Sequence, residues 1–255
     1  MIIHLPDLSG AILITFLVFA RTGAMVMLLP AIGEQTIPTP VRLVLALAIS
    51  LALTPVVTAS YHDTQPATTM ALVLLIAKEI TAGVLVGAMA RIIMSALQVA
   101  GTLIATQTGL AYAQTFDPTQ GQQSAEIGNF VTLLATVLIF ATNLHHLAIG
   151  AVAGSYALIP PGAALPTADM AELTIRLVSG SFALGLQLAA PFLVFGFAVS
   201  AAIGLLQRLV PQMQVFFIAM PINILAGLFL LMLLVGSMMT AFLNFYSSQM
   251  AHFLS

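Results

Sequence analysis

The chain has 255 residues, 60% of them hydrophobic and 5% charged, with a net charge of −2. A soluble domain carries about 25% charged residues, and six basic and eight acidic side chains cannot clothe a water-facing surface, so most of this surface faces lipid or other protein. The lack of a basic patch makes nucleic acid a poor partner, and the absence of cysteine excludes disulfides, thiolate metal sites and a cysteine nucleophile.

The opening, MIIHLPDLSG, has an acid at Asp7 and no Lys or Arg, unlike a signal-peptide n-region. The first apolar run, Ala11–Leu29, reads as a retained segment. Five more follow: Val41–Val57, Met70–Thr106, Ile127–Ile159, Leu173–Gln207 and Val215–Phe245. Breaks rich in turn residues separate them at Pro30–Pro40, Ser60–Thr69, Gln107–Glu126, Pro160–Asp169 and Arg208–Pro211. The runs are continuous, without period-two alternation, and rich in Leu, Ala, Met and Ile, which predicts helices and not strands. A span needs about 20 apolar residues, so the four longest runs predict tilted, kinked or paired segments. Pro55, Pro191 and Pro221 lie inside runs, where each removes a backbone donor and kinks or ends a helix. The expected fold is all-α, built of membrane-associated helical hairpins with kinked and broken helices.

Charges do not sort as the positive-inside rule asks. Arg42 and Arg208 flank odd-numbered breaks, and Lys78 and Arg176 even-numbered ones. Arg21, Glu79 and Arg91 lie within apolar runs, where a charge must face protein or water. Glu79 and Arg91 are twelve residues apart, about 18 Å along a helix, too far to pair directly. The expectation is an interhelical salt bridge to another subunit. Small residues recur at four-residue spacing: Gly83 with Gly87, Gly150 with Gly154, and Gly196 with Ser200 and Gly204. Such stripes let helix backbones approach closely.

Catalytic chemistry finds little material. His145 and His146 are adjacent and point about 100° apart on a helix. No His pair stands at i, i+4, and no Gly-rich phosphate loop or Ser-His-Asp set is present. The chain is expected to be no enzyme and to need no cofactor or metal. The most unusual segment is the long polar stretch GLAYAQTFDPTQGQQSAEIG, in which Asp117-Pro118 reads as a turn. It is either an ordinary connector or a loop folded into a water-filled path. A secondary transporter would show a midplane polar cluster and an internal repeat, and neither is visible.

Several segments resemble the FliR family of flagellar biosynthetic proteins, which is homologous to the T subunit of virulence type III secretion systems. The resemblance begins with Arg21-Thr-Gly23, Pro30-Ala-Ile-Gly33, Ile37-Pro38 and Val41-Arg42. It continues through Glu79 with Gly83 and Gly87, then Gly101, Gln107 and Gly109 before Asp117-Pro118. It ends with Pro191, Pro211-Gln-Met, Phe216-Phe217 and Pro221 with Asn223. In order, these cover nearly the whole chain.

The resemblance implies a subunit of the flagellar export gate in the bacterial inner membrane, within the basal body. Its partners would be FliP-type and FliQ-type subunits, FlhB-type and FlhA-type components, and the unfolded proteins being exported. Residues 1–172 would be a FliP-like part fused to a FliQ-like hairpin at 173–255. Residues 109–123 would plug the pore, with Gly109, Tyr112, Phe116, Asp117, Pro118, Gln120 and Gln122 its distinctive members. A virulence-type gate is the alternative within the same class.

Overall fold

The computed structural model describes residues 8–34, 37–61, 68–113, 123–164, 166–209 and 215–251. Among these residues the chain is all helix and turn. The elements are α1 (Leu8–Val26), α2 (Thr39–Val57) with a 3-10 turn at Thr58–Tyr61, α3 (Thr69–Gln107), the short α4 (Leu110–Ala113), α5 (Gln123–Ala141), α6 (His145–Leu158), α7 (Thr167–Leu209) and α8 (Val215–Ala251). Among the described residues four helices are long and apolar enough to cross a membrane, or five spans if α5 and α6 count as one broken span.

The expected breaks hold at the turn-rich segments, but proline does not end helices here. Pro55, Pro191 and Pro221 all lie inside continuous helices. Pro55 is near the end of α2 and Pro221 is in the second turn of α8. Each leaves one carbonyl of its helix without the usual donor, at Leu51, Gln187 and Phe217. The run Ile127–Ile159, which has no proline before its end, is the one that divides. Its break at residues 142–144 carries Asn143 at φ 60°, a left-handed conformation that asparagine tolerates better than most residues.

At 1.5 Å per residue, α3, α7 and α8 are about 58, 64 and 55 Å long. All exceed the roughly 45 Å of a bilayer with its headgroups. These helices are longer than a single span requires.

Contacts gather the chain into two units. One holds residues 1–92, 140–177 and 246–255; the other holds 93–139 and 178–245. In the first, α1 packs on α2, and α6 packs on both. In the second, the C-terminal half of α3 is the hub. Ile93, Leu97, Ala100, Ile104 and Ala105 are fully buried there, mostly at the i, i+4, i+7 spacing of one helical face. Apolar side chains also cover much of the outside: Phe197 is 78% exposed, Val194 71% and Met232 69%. Such a surface requires lipid or partner protein.

Candidate functional site: a buried ion pair and the anchor of the polar segment

In the first unit, α3 presents Glu79 on its buried face, and α1 brings Arg21 against it. Arg21 Nε donates to Glu79 Oε2 at 2.6 Å and Nη2 donates to Oε1 at 3.2 Å, the bidentate fork that suits a guanidinium to a carboxylate. Nη1 donates to Ser155 Oγ at 3.0 Å and Nη2 to the Ile159 carbonyl at 3.0 Å. The guanidinium carbon also lies 3.8 Å from the centre of the Tyr156 ring, a favourable cation–π placement. Tyr61 meets Tyr156 edge-on at 5.9 Å. Arg21 and Glu79 are both about 1% exposed or less. The pair therefore closes within this chain, correcting the expectation that Glu79 would bridge to another subunit. Sequence reasoning weighed Glu79 against Arg91, the nearer charge along the helix. The true partner is 58 residues away.

Glycines bring the two helices this close. A Cβ on Gly83 would lie 2.1 Å from the Arg21 carbonyl oxygen. One on Gly87 would lie 2.8 Å from Leu28 Cβ and 2.9 Å from the Met25 carbonyl. Gly150 and Gly154 are half-buried on α6. Arg91 differs from the other two charges: its side chain is exposed. Lys78, one position before Glu79, points to a loop, donating to the carbonyls of Gly162 and Ala163 at 3.0 and 2.9 Å.

The second unit holds the entrance to the polar segment. Helix α3 ends at Gln107, and Gly109 takes φ +83°, a conformation that favours glycine. The end of α3 is clasped from two sides. On α7, a Cβ at Gly196 would meet Gln107 Oε1 at 2.0 Å; on α8, a Cβ at Gly227 would meet Thr108 Cγ2 at 2.3 Å. Asn223 Nδ2 donates to the Gln107 carbonyl at 3.4 Å, while its Oδ1 is buried without a partner. Beside this anchor is a cavity of about 430 Å³ lined by Thr106, Gln107, Ser200, Gln207, Met220 and Asn223, among others.

The stripe Gly196, Ser200 and Gly204 therefore divides. Gly196 is a close contact, whereas Ser200 and Gly204 are exposed and line the cavity, with nothing within 4 Å of a Cβ on Gly204. Gly227 was missed, having no small residue four positions away to announce it. Of the expected plug residues, Gly109 is placed at the anchor and Tyr112 lies in α4. Phe116, Asp117, Pro118, Gln120 and Gln122 lie outside the described residues.

His145 begins α6 with its ring stacked on Phe140 at 4.9 Å and 4.1 Å from that of His146. Among the described residues, no group of three or more His, Cys, Asp or Glu side chains could hold a metal ion.

A family model described as "Bacterial export proteins, family 1" matches residues 12–248. The chain belongs to that family. Within it, the chain is similar to the flagellar biosynthetic protein FliR of Caulobacter vibrioides, at 41% identity over 85% of this chain and 86% of the relative. FliR of Bacillus subtilis is 28% identical over 91% and 89%. The Yop proteins translocation protein T of Yersinia pestis is 28% identical over 92% and 91%. The resemblance first drawn from scattered residues thus extends over the length of these FliR-family proteins, from the flagellar branch to the secretion branch.

Proposed function

We propose that the chain is a subunit of the flagellar type III export gate, helping to form and close the path by which unfolded flagellar proteins cross the inner membrane. The observation that carries this reading is the 41% identity with a flagellar FliR across most of both chains. The fold agrees in two respects. Helices of 37 to 43 residues are suited to an assembly that rises beyond the bilayer. An apolar exterior with few charges is suited to burial among other subunits.

Those subunits are FliP-type and FliQ-type proteins, with FlhA-type and FlhB-type components alongside, in the basal body. Residues 1–172 take the FliP-like place and 173–255 the FliQ-like hairpin, to which α7 and α8 belong. The segment 109–123 acts as the plug. In support, its entrance is held by Gln107, Gly109 and Asn223 beside a polar cavity. The chain itself supplies no energy; a gate needs only two arrangements separated by a few kcal/mol that substrate can rebalance.

A virulence-type gate is the second reading, favoured by the similarity to the Yersinia protein. Co-expression with the chromosomal neighbours, extraction in mild detergent and intact-complex mass spectrometry test the assignment. A defined particle with FliP-type and FliQ-type partners is expected. A well-expressed chain recovered alone would overturn it. Deleting Tyr112–Gln122 should leave that particle intact while ions leak; a tight membrane would remove the plug assignment.

A further inference from the structure

One face of α3 changes chemistry along its length. Val73, Ala77, Ile80, Val84, Arg91, Ser95, Gln98, Thr102 and Thr106 fall within about 80° of one another on the helix. The first four are exposed and apolar. From Arg91 onward the same face is polar: Arg91, Ser95, Thr102 and Thr106 are exposed, and Gln98 is half-buried. Beyond Arg91 it carries no charge. Helix α5 runs close beside this half of α3, with a Cβ on Gly101 only 2.2 Å from the Gly128 Cα. There it adds the exposed Asn129, and Gln98 Nε2 donates to Thr132 Oγ1 at 2.9 Å and to Asn129 Oδ1 at 3.5 Å. Nearest the joining segment α5 exposes Glu126 and Asn129, with Phe130 53% exposed beside them, and further along Leu133 and Val137 are 66% and 57% exposed.

Lipid does not suit this band. Threonine hydroxyls can be satisfied in lipid by their own helix, as Thr102 is by the Gln98 carbonyl and Thr106 by the Thr102 carbonyl. The exposed Asn129 amide and the Arg91 guanidinium are costly there. The same self-satisfaction leaves the threonines with little to offer a partner in fixed, directional bonds. A wall that is wet and weakly binding does suit an extended polypeptide of any sequence: it solvates the moving backbone, and only Glu126 and Phe130 at its α5 border offer an ionic or an apolar hold. Conduction requires sites weak enough to leave.

We propose that Ser95, Gln98, Thr102, Thr106 and Asn129 form a water-facing wall along which the unfolded polypeptide slides. This rests on the export-gate reading and adds to it the surface that the substrate touches.

The natural absence of cysteine makes the test direct. Ser95→Cys, Thr102→Cys and Thr106→Cys, with Val84→Cys and Leu133→Cys for contrast, are placed singly in the full chain and assembled in membranes. Each is exposed to a charged, water-soluble maleimide. The first three should label about tenfold faster or more, because the reacting thiolate is suppressed in apolar surroundings. A substrate stalled in transit by a folded tail should slow them and leave Val84→Cys and Leu133→Cys unchanged. Equal rates in the two sets, or rates indifferent to the stalled substrate, would overturn the wall. If those variants still co-purify with the gate subunits, the wall alone has failed and the export assignment stands.

Discussion

Where α1 meets α3, the buried charges are paired and richly bonded: one arginine makes four hydrogen bonds to Glu79, Ser155 and Ile159, while the hydroxyls of Thr22, Tyr61 and Tyr156 are buried without a hydrogen-bond partner. Where α3 ends between α7 and α8, the polar contacts are neutral and sparse. One asparagine reaches a carbonyl at 3.4 Å with half of its amide unpaired, beside an open cavity. The first arrangement has a steep cost for any departure, because separating the pair strands a buried charge. The second can give at little cost. Region by region, the chain places strong, fully bonded charge where helices must stay in register and weak neutral contacts where the polar segment begins.

Four single substitutions and one double probe that contrast. Glu79→Ala should act most strongly: it leaves the Arg21 guanidinium buried and unpaired, costing about 3–5 kcal/mol, and the chain should fail to accumulate in membranes by immunoblot. Replacing both partners, Arg21→Met with Glu79→Leu, should restore much of the accumulation, since apolar replacement of a buried pair is often close to neutral. If the double variant is as depleted as the single, the charge itself does more than hold helices together. Gly87→Leu comes next. Its side chain would have to displace Leu28 and the Met25 backbone, and co-purification with gate subunits should be lost; normal recovery would show that this contact is dispensable.

Effects at the anchor should be smaller. Gly227→Ala adds a methyl against the buried Thr108, an overpacking of about 1–3 kcal/mol. Assembly should persist while ion conductance through the membrane rises. Asn223→Ala removes one long hydrogen bond and one unpaired oxygen, which should change thermal stability by about 1 kcal/mol or less. A loss at Asn223 as large as that at Glu79 would erase the distinction between the two regions.

Much of the fold was legible because turn residues and apolar continuity are local signals. The breaks at Pro30–Pro40 and Arg208–Pro211 needed only composition. What escaped depended on partners distant in sequence. Asn143 divides a run that composition left whole, and Pro191 fails to end a helix that composition would stop, because packing decides both. Gly83 and Gly87 were visible through their spacing. Gly101 with Ala105 and Gly128 with Ser124 share that spacing and are equally close to their neighbours, whereas Gly227 stands without it. The Arg21–Glu79 pair lay hidden because a charge inside an apolar run announces that it needs a partner and says nothing of which one.

That pair also sets an order on biogenesis. Arg21 leaves the ribosome 58 residues before Glu79 and 134 before Ser155, roughly 3 to 12 s before the carboxylate and 7 to 27 s before the hydroxyl at ordinary rates of synthesis. Until then α1 carries an uncompensated cation, which a bilayer accepts poorly. The nascent first helix therefore waits at the insertion machinery or the membrane surface, and α3 and α6 complete the environment that lets it settle.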